Sequence, residues 1–492
     1  MMRTTMIQTT LSRLFAPLFA LITAAILIGC GGTGGSQTAG IDGSGAPVAG
    51  NNSNGTISGF GSVIVNGVKY ESDKAQILIN GQTATEDDLR VGYQVSITGS
   101  IANDGKTTAE KIEFVPTLIG EITAIDVDNK RVTVLGQTVL ITNNTIFDSA
   151  IKPSNINGLA VGQRILVSGA VASDGTISAT RIELATDKAQ QIMGQVAHLT
   201  SNSFTLNGTT VVYSGAQLIN LDNNRLINGA TVTAIGALTD NQLQATQVIG
   251  VNKTLRNRDK VDIEGFVTRF VSATDFDVAG ISATTTNQTK FEDGTIADLR
   301  LGAQIEIEGS VNASGILVAN AIEFEQDVNN KISGLVSSIN LTNTTGIISG
   351  VITIDGIAIT TNHQTRYEDK KLDLKRFNLS SLVQGDLVEV TGYSTAAGFI
   401  ATKIEREGED DDDESDEREF EGVISAIGVD HFILFGRKIY VTESTEIKNE
   451  DDESISLAAF YLLAANRQIE VEALEINGEL YATKIELEDE DD

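Results

Sequence analysis

Apart from carboxylates, side chains able to do acid–base, nucleophilic or metal chemistry are scarce in this sequence. Its 492 residues include three histidines (His198, His363 and His431), one cysteine (Cys30) and no tryptophan, against 66 Asp and Glu. A histidine that acts as a general base or metal ligand needs partners at a defined spacing. These three share no flanking sequence, so they read as surface or turn residues. No G-x-S-x-G nucleophile elbow, G-x-x-x-x-G-K-[ST] phosphate loop, H-E-x-x-H zinc helix or paired-cysteine motif occurs. A carboxylate pair can hydrolyse a glycosidic bond without leaving a motif, but with 66 acids suitable pairs arise by chance. The run 410–413, four consecutive Asp, offers oxygen ligands to Ca²⁺ or Mg²⁺ yet lacks the Asp-x-Asp-x-Asp-Gly spacing that wraps one ion; a solvated spacer is the simpler reading. The expectation is no catalytic residue, no metal ligand set and no cofactor. An unrecognised carboxylate-based hydrolase and a divalent-cation-dependent adhesin stay open as alternatives.

Cys30 has a setting that explains it. Arg3 and Arg13 form a basic leader, residues 14–28 are mostly apolar, and the run ends in Leu27-Ile28-Gly29-Cys30. An apolar run this short behind a basic flank is a secretory signal rather than a spanning helix, and its ending resembles a bacterial lipobox. Residues 1–29 are thus expected to be a lipoprotein signal peptide and Cys30 the acylated first residue of the mature chain, its link to the membrane. By the same resemblance, Gly31 and Gly32 favour outer-membrane delivery, facing the periplasm or the cell surface. The formal net charge of −31 excludes a nucleic-acid partner, which needs clustered Lys and Arg.

Only 5% of residues are aromatic, and the apolar residues recur as short Val, Ile and Leu runs, the composition of pleated, half-buried strands. Residues 30–56 are rich in Gly, Ser and Asn and read as a flexible tether. Beyond them three signals recur in one order. A glycine precedes an apolar strand at Gly59, Gly120, Gly194, Gly265, Gly334 and Gly422. Leu-x-x-Gly then opens an alternating run, as in LRVGYQVSITG from Leu89 and LVQGDLVEVTG from Leu382; LAANRQIEVEA from Leu463 lacks both glycines. Last comes A-T-x-I-E, written ATKIE at both 401–405 and 482–486. Turn pairs such as Asp104-Gly105, Asp174-Gly175 and Asn477-Gly478 join the last two signals, and such pairs favour two-residue hairpins with positive φ at both positions. The repeats predict units at 57–115, 118–185, 191–252, 262–326, 331–406 and 419–488, with an acidic linker at 407–418 and an acidic tail at 489–492.

Each unit offers about five strands, with a loop or helical turn before Leu-x-x-Gly. That order matches a small closed barrel of the oligonucleotide/oligosaccharide-binding (OB) type. The fold class is therefore all-β: a tandem array of about six small five-stranded OB-like β-barrel units, folding separately, after a signal peptide and tether. Lys111/Glu113, Arg181/Glu183, Lys403/Glu405 and Lys484/Glu486 flank the core isoleucine of the last strand and read as a solvated outer face. The ordered motifs resemble the bacterial family catalogued as domain of unknown function 5666, which implies the fold and the lipoprotein context but no activity. The expected function is a lipid-anchored cell-envelope repeat protein, a non-catalytic binding or scaffold module for a glycan or an envelope protein, with its ligand-binding residues unspecified.

Overall fold

The computed structural model describes residues 51–492 except 187, 222–224, 252–258, 327, 329, 345–346, 396–397, 409–416 and 489–492. Cys30, most of the tether and the run 410–413 lie outside the described residues. Strand is the dominant regular structure of the described chain, and its turns explain the recurring letters. In every unit the second and third strands are joined by a two-residue turn with φ positive at both positions: Asn66-Gly67, Leu135-Gly136, Asn207-Gly208, Ala279-Gly280, Asp355-Gly356 and Phe435-Gly436. The glycine of Leu-x-x-Gly also sits at positive φ, from Gly92 at +87° to Gly385 at +91°, and Asn466 at +62° takes its place in the sixth unit. Asparagine tolerates that region best among non-glycine residues, so this copy keeps its turn.

The hairpin before A-T-x-I-E departs from expectation in three units. At Gly105, Gly175 and Gly315 only the glycine has positive φ, and the backbone pairs across a three-residue loop, with Ala102 N donating to Lys106 O at 2.8 Å in the first unit. Two-residue turns with both φ positive occur at Asp240-Asn241 and Asn477-Gly478. The Asp-Gly pair serves either loop, because a type I turn followed by a left-handed glycine also suits it.

In each of the first five units the strands close into a ring. Unit 2 shows the order: Leu118–Asp126 pairs with Arg131–Val134, that with Gln137–Leu140, which runs parallel to Ile177–Leu184; Arg164–Val171 pairs with the last and returns to the first. Unit 6 follows the same order with its first strand interrupted between Val423 and Ala426. The fourth and fifth strands slip register at one point per unit, as at Thr98/Gly99 and Ser168/Gly169. A Cβ on Gly99 would collide with the carbonyl oxygen of Thr108, which explains the glycine ending this motif. Each ring buries its alternate residues; Ile97 and Ile112 in unit 1 and Val471 and Ile485 in unit 6 are fully buried. The helical element expected before Leu-x-x-Gly is a short 3₁₀ turn in units 1, 2 and 5 and the helix Leu457–Leu463 in unit 6. That helix inserts Phe460 into the core, whereas Leu463, the motif's leucine there, is exposed.

The units are not separate. The described residues form one compact body, and strands run on from barrel to barrel. Units 2 and 3 join antiparallel at Ile119↔Gln191, and units 5 and 6 at Lys331↔Glu421. Units 1 and 4, far apart in sequence, join parallel at Asn52↔Val261. Units 2 and 3 share one continuous apolar core, as do 5 and 6, while units 1 and 4 keep separate cores. Two boundaries move as a result. Strand Asn52–Gly59 begins inside the stretch read as tether, and strand Glu417–Val423 begins inside the stretch read as acidic linker.

Candidate functional site

The outer faces of the barrels carry the polar side chains, and packing decides what they do. Each pair read from the last strand forms an ion pair along that strand: Lys111–Glu113 at 2.7 Å, and Arg181–Glu183, Lys403–Glu405 and Lys484–Glu486 at 2.5 Å. Two of them are not solvated. Arg181 is buried where three units meet, 3.2 Å from Glu368 of unit 5, while Tyr93 of unit 1 donates to Glu183 at 2.8 Å. Lys403 is buried against unit 2, donating to the carbonyl oxygen of Thr145 at 3.3 Å. A repeated polar face is thereby used to dock one repeat on another.

Unit 4 holds a second polar face that sequence reasoning missed. Asp262 and Glu264 on its first strand stand directly opposite Glu308 and Glu306 on its fourth, and all four are buried. Their donors come from neighbouring units. Asn66 Nδ2 donates to Asp262 at 2.7 Å, Thr56 N and Oγ1 donate to Glu264 at 2.9 and 3.1 Å, and Gln364 Nε2 donates to Glu306 at 3.3 Å. Burial, followed by the neighbouring carboxylates, pushes Asp262 and Glu306 well above the usual carboxylate range. Burial, with Asp293 nearby, likewise raises Glu323 to about 7. The alternation D-x-E and E-x-E was visible as outward-facing acids, but nothing in one strand's letters reveals that another barrel will cover them.

A recess of about 1090 Å³ opens where units 1, 2, 3 and 4 meet. Eleven of its 39 lining residues are Asn or Gln and six are Ser or Thr. Only four are charged, and two of these, Lys111 and Glu113, are paired with each other. For a chain in which 21% of residues are charged, this is a depleted surface. The amides come mainly from units 1 and 3, such as Gln82, Gln94 and Gln217 at strand starts and Gln247 within a strand, while unit 2 contributes residues 169–173.

The histidines lie in three different units. His198, in an exposed bend, contacts Thr205 at 3.1 Å, and His431, half-buried at the start of strand His431–Leu434, contacts Asp430 at 2.9 Å. His363 is not a surface residue: it packs over Gly67 of unit 1, and burial lowers its pKa. Three carboxylates, Glu419, Glu421 and Glu470, are close enough together to hold a metal ion. Lys331 already donates to the first two, at 2.7 and 3.3 Å.

Six segments of the chain, 54–113, 119–183, 193–249, 264–323, 333–405 and 421–486, each match the model of one protein family. The chain belongs to the family described as Domain of unknown function (DUF5666). Its six DUF5666 repeats coincide with the six barrels, including the sixth, whose missing glycines are replaced by Asn466 and Ala473. No curated protein is similar enough to match the chain. Among the described residues no helix is long and apolar enough to cross a membrane, which leaves β-barrel insertion unaddressed.

Proposed function

We propose that this chain is a lipid-anchored cell-envelope protein that binds a ligand without transforming it, using its six DUF5666 repeats as one body. The observation that carries the reading is the recess between four repeats, whose lining is rich in hydrogen-bonding amides and poor in groups that titrate near neutral pH. The anchor part of the proposal rests on the leader and Leu27-Ile28-Gly29-Cys30, and outer-membrane delivery rests on the glycines that follow. A glycan or another envelope component fits such a lining.

Two measurements test the proposal. Labelled palmitate should enter the wild type and not Cys30→Ala; equal labelling of both removes the anchor. An envelope pull-down on the chain, beside a broad glycosidase and esterase screen, should show capture without turnover. Turnover abolished by a single carboxylate substitution would show an enzyme instead.

A further inference from the structure

We infer that the recess between units 1, 2, 3 and 4 is the binding site for a neutral, polyhydroxylated ligand, a segment of an oligosaccharide. The inference rests on the binding-protein reading and gives it a place and a ligand class.

The argument starts from charge. Among the described residues an anionic ligand would meet Glu110, Glu113 and Asp259 and only one cation, Lys111, which Glu113 already engages. Asn52 donates to Asp259 at 3.2 Å. What remains for a ligand is neutral hydrogen bonding. Gln82, Gln195, Gln217 and Gln247 line the recess without a side-chain hydrogen bond to any described residue. Each carboxamide offers donors and an acceptor on one planar group, and each sugar hydroxyl is itself donor and acceptor, so the two match in any of several rotations. Asn80, on the unit 1 wall, donates through Nδ2 to Gln191 of unit 3 at 3.0 Å, which fixes that wall against unit 3. Phe266 supplies the one aromatic ring of the lining, a surface for the apolar side of a sugar ring. The volume, about 1090 Å³, lies just above the roughly 300–1,000 Å³ range of small-molecule sites. It suits a short run of sugar rings better than a single one.

The full chain is titrated calorimetrically with maltohexaose, cellohexaose and chitohexaose, beside a galacturonate hexamer and a capped neutral hexapeptide. At least one neutral hexasaccharide should bind. The double variant Gln195→Ala/Gln247→Ala should weaken it about tenfold through lost hydrogen bonds. Ser173→Trp, which fills the recess from an exposed turn of unit 2, should abolish binding. Ala313→Trp, at the corresponding exposed turn of unit 4 and outside the recess, should leave it unchanged. All these positions are exposed or half-buried, and unchanged thermal melts confirm that the variants fold. The inference is overturned if no neutral saccharide binds, if binding survives Ser173→Trp, or if only the galacturonate or the peptide binds. Envelope capture that survives Ser173→Trp without saccharide binding removes the recess and keeps the binding-protein reading. Turnover of any probe removes that reading itself.

Discussion

Units 4 and 5 fill the same six outward positions on their first, fourth and fifth strands with different electrostatics, charge-balanced in unit 5 and with acids as the only charged residues in unit 4. Aligned on their shared glycines and isoleucine, unit 5 presents Lys331, Ser333, Glu389, Thr391, Lys403 and Glu405, where unit 4 presents Asp262, Glu264, Glu306, Glu308, Ala321 and Glu323. Burial alone would raise Glu389, but Lys331, Lys370 and Lys403 hold it down at about 2. Its counterpart Glu306 is pushed far up. Among the described residues no Lys or Arg forms an ion pair with Asp262, Glu264, Glu306 or Glu323. Like charges directly opposite on paired strands repel, and the raised pKa values of Asp262 and Glu306 favour the protonated forms that ease this repulsion. One barrel scaffold thus supports a salt-bridged junction and a proton-dependent one, and the choice lies in a few side chains that leave the core untouched.

The largest effect should come from removing the cation of the unit 5 face. Lys331→Met removes the one cation shared by the half-buried Glu389, Glu419 and Glu421, leaving Lys370 and Lys403 to act on Glu389 alone. Losing one partner of a buried ion pair costs about 3–5 kcal/mol, and the half-exposed partners here place the loss at the lower end. Chemical denaturation should show that loss. A cost under about 1 kcal/mol would mean the lysine contributes packing alone.

The next largest separates the two faces by pH. Carboxylates whose folded pKa is raised contribute stability that is full below their unfolded value near 4.5 and is lost as pH climbs through the folded value. For Glu323 and Glu325, both raised to about 7 mainly by burial, the loss falls between about pH 4.5 and 7. Asp262 and Glu306 shift in the same direction. Groups facing them include Thr56 and Asn66 of unit 1 and Gln364 of unit 5, with the charge of Arg366 acting on Glu325. Glu389, with its lowered value, acts in reverse, contributing above about pH 4.5 and failing as pH falls toward 2. Glu470, raised by burial to about 7 beside Glu419 and Glu421, adds to the alkaline loss from unit 6. Amide exchange of 260–264 and 304–308, corrected for intrinsic rate, should therefore be faster at pH 8 than at pH 5. Equal protection at both would show that the row is neutralised in another way.

A smaller and more specific effect follows from Glu306→Gln. The substitution removes the proton requirement at one position, so it should stabilise the chain at pH 8 by on the order of 1 kcal/mol and do nothing at pH 5. A destabilisation at pH 8 would show Glu306 to be ionised and usefully paired.

These junctions mark where the sequence stops being legible. Barrel count, strand order and turn glycines all follow from periodicities of two and from backbone positions that tolerate few residue types, and both signals are local. The docking of unit 1 on unit 4 is not local. It depends on Asn66 and Thr56 meeting acids about 200 positions away, and Asn-Gly at 66–67 already has a sufficient reason to exist as a turn. The recess is equally hidden, because its amides are scattered singly over several strands and look like ordinary solvent-facing residues. Asn466 shows the opposite error, in which a departure from the repeated letters preserves the same backbone angle.

The smallest effect expected tests the limit most directly, because it uses letters that are identical. ATKIE at 401–405 and ATKIE at 482–486 place Lys403 and Lys484 at the same position of the same strand, each 2.5 Å from the glutamate two residues on. The side chains of Lys403 and Glu405 are 4% and 2% exposed, those of Lys484 and Glu486 28% and 24%. Solvent reaches the second pair and screens it, so Lys484→Ala should cost no more than about 0.5 kcal/mol. Lys403→Ala leaves Glu405 in a closed junction with Lys370 as its one remaining ion-pair partner among the described residues and removes the donor to Thr145, and should cost severalfold more. Denaturant midpoints of the two variants, measured side by side at pH 7, give the difference. Equal costs would mean that the strand's own ion pair, rather than the neighbouring barrel, sets the energy of this position.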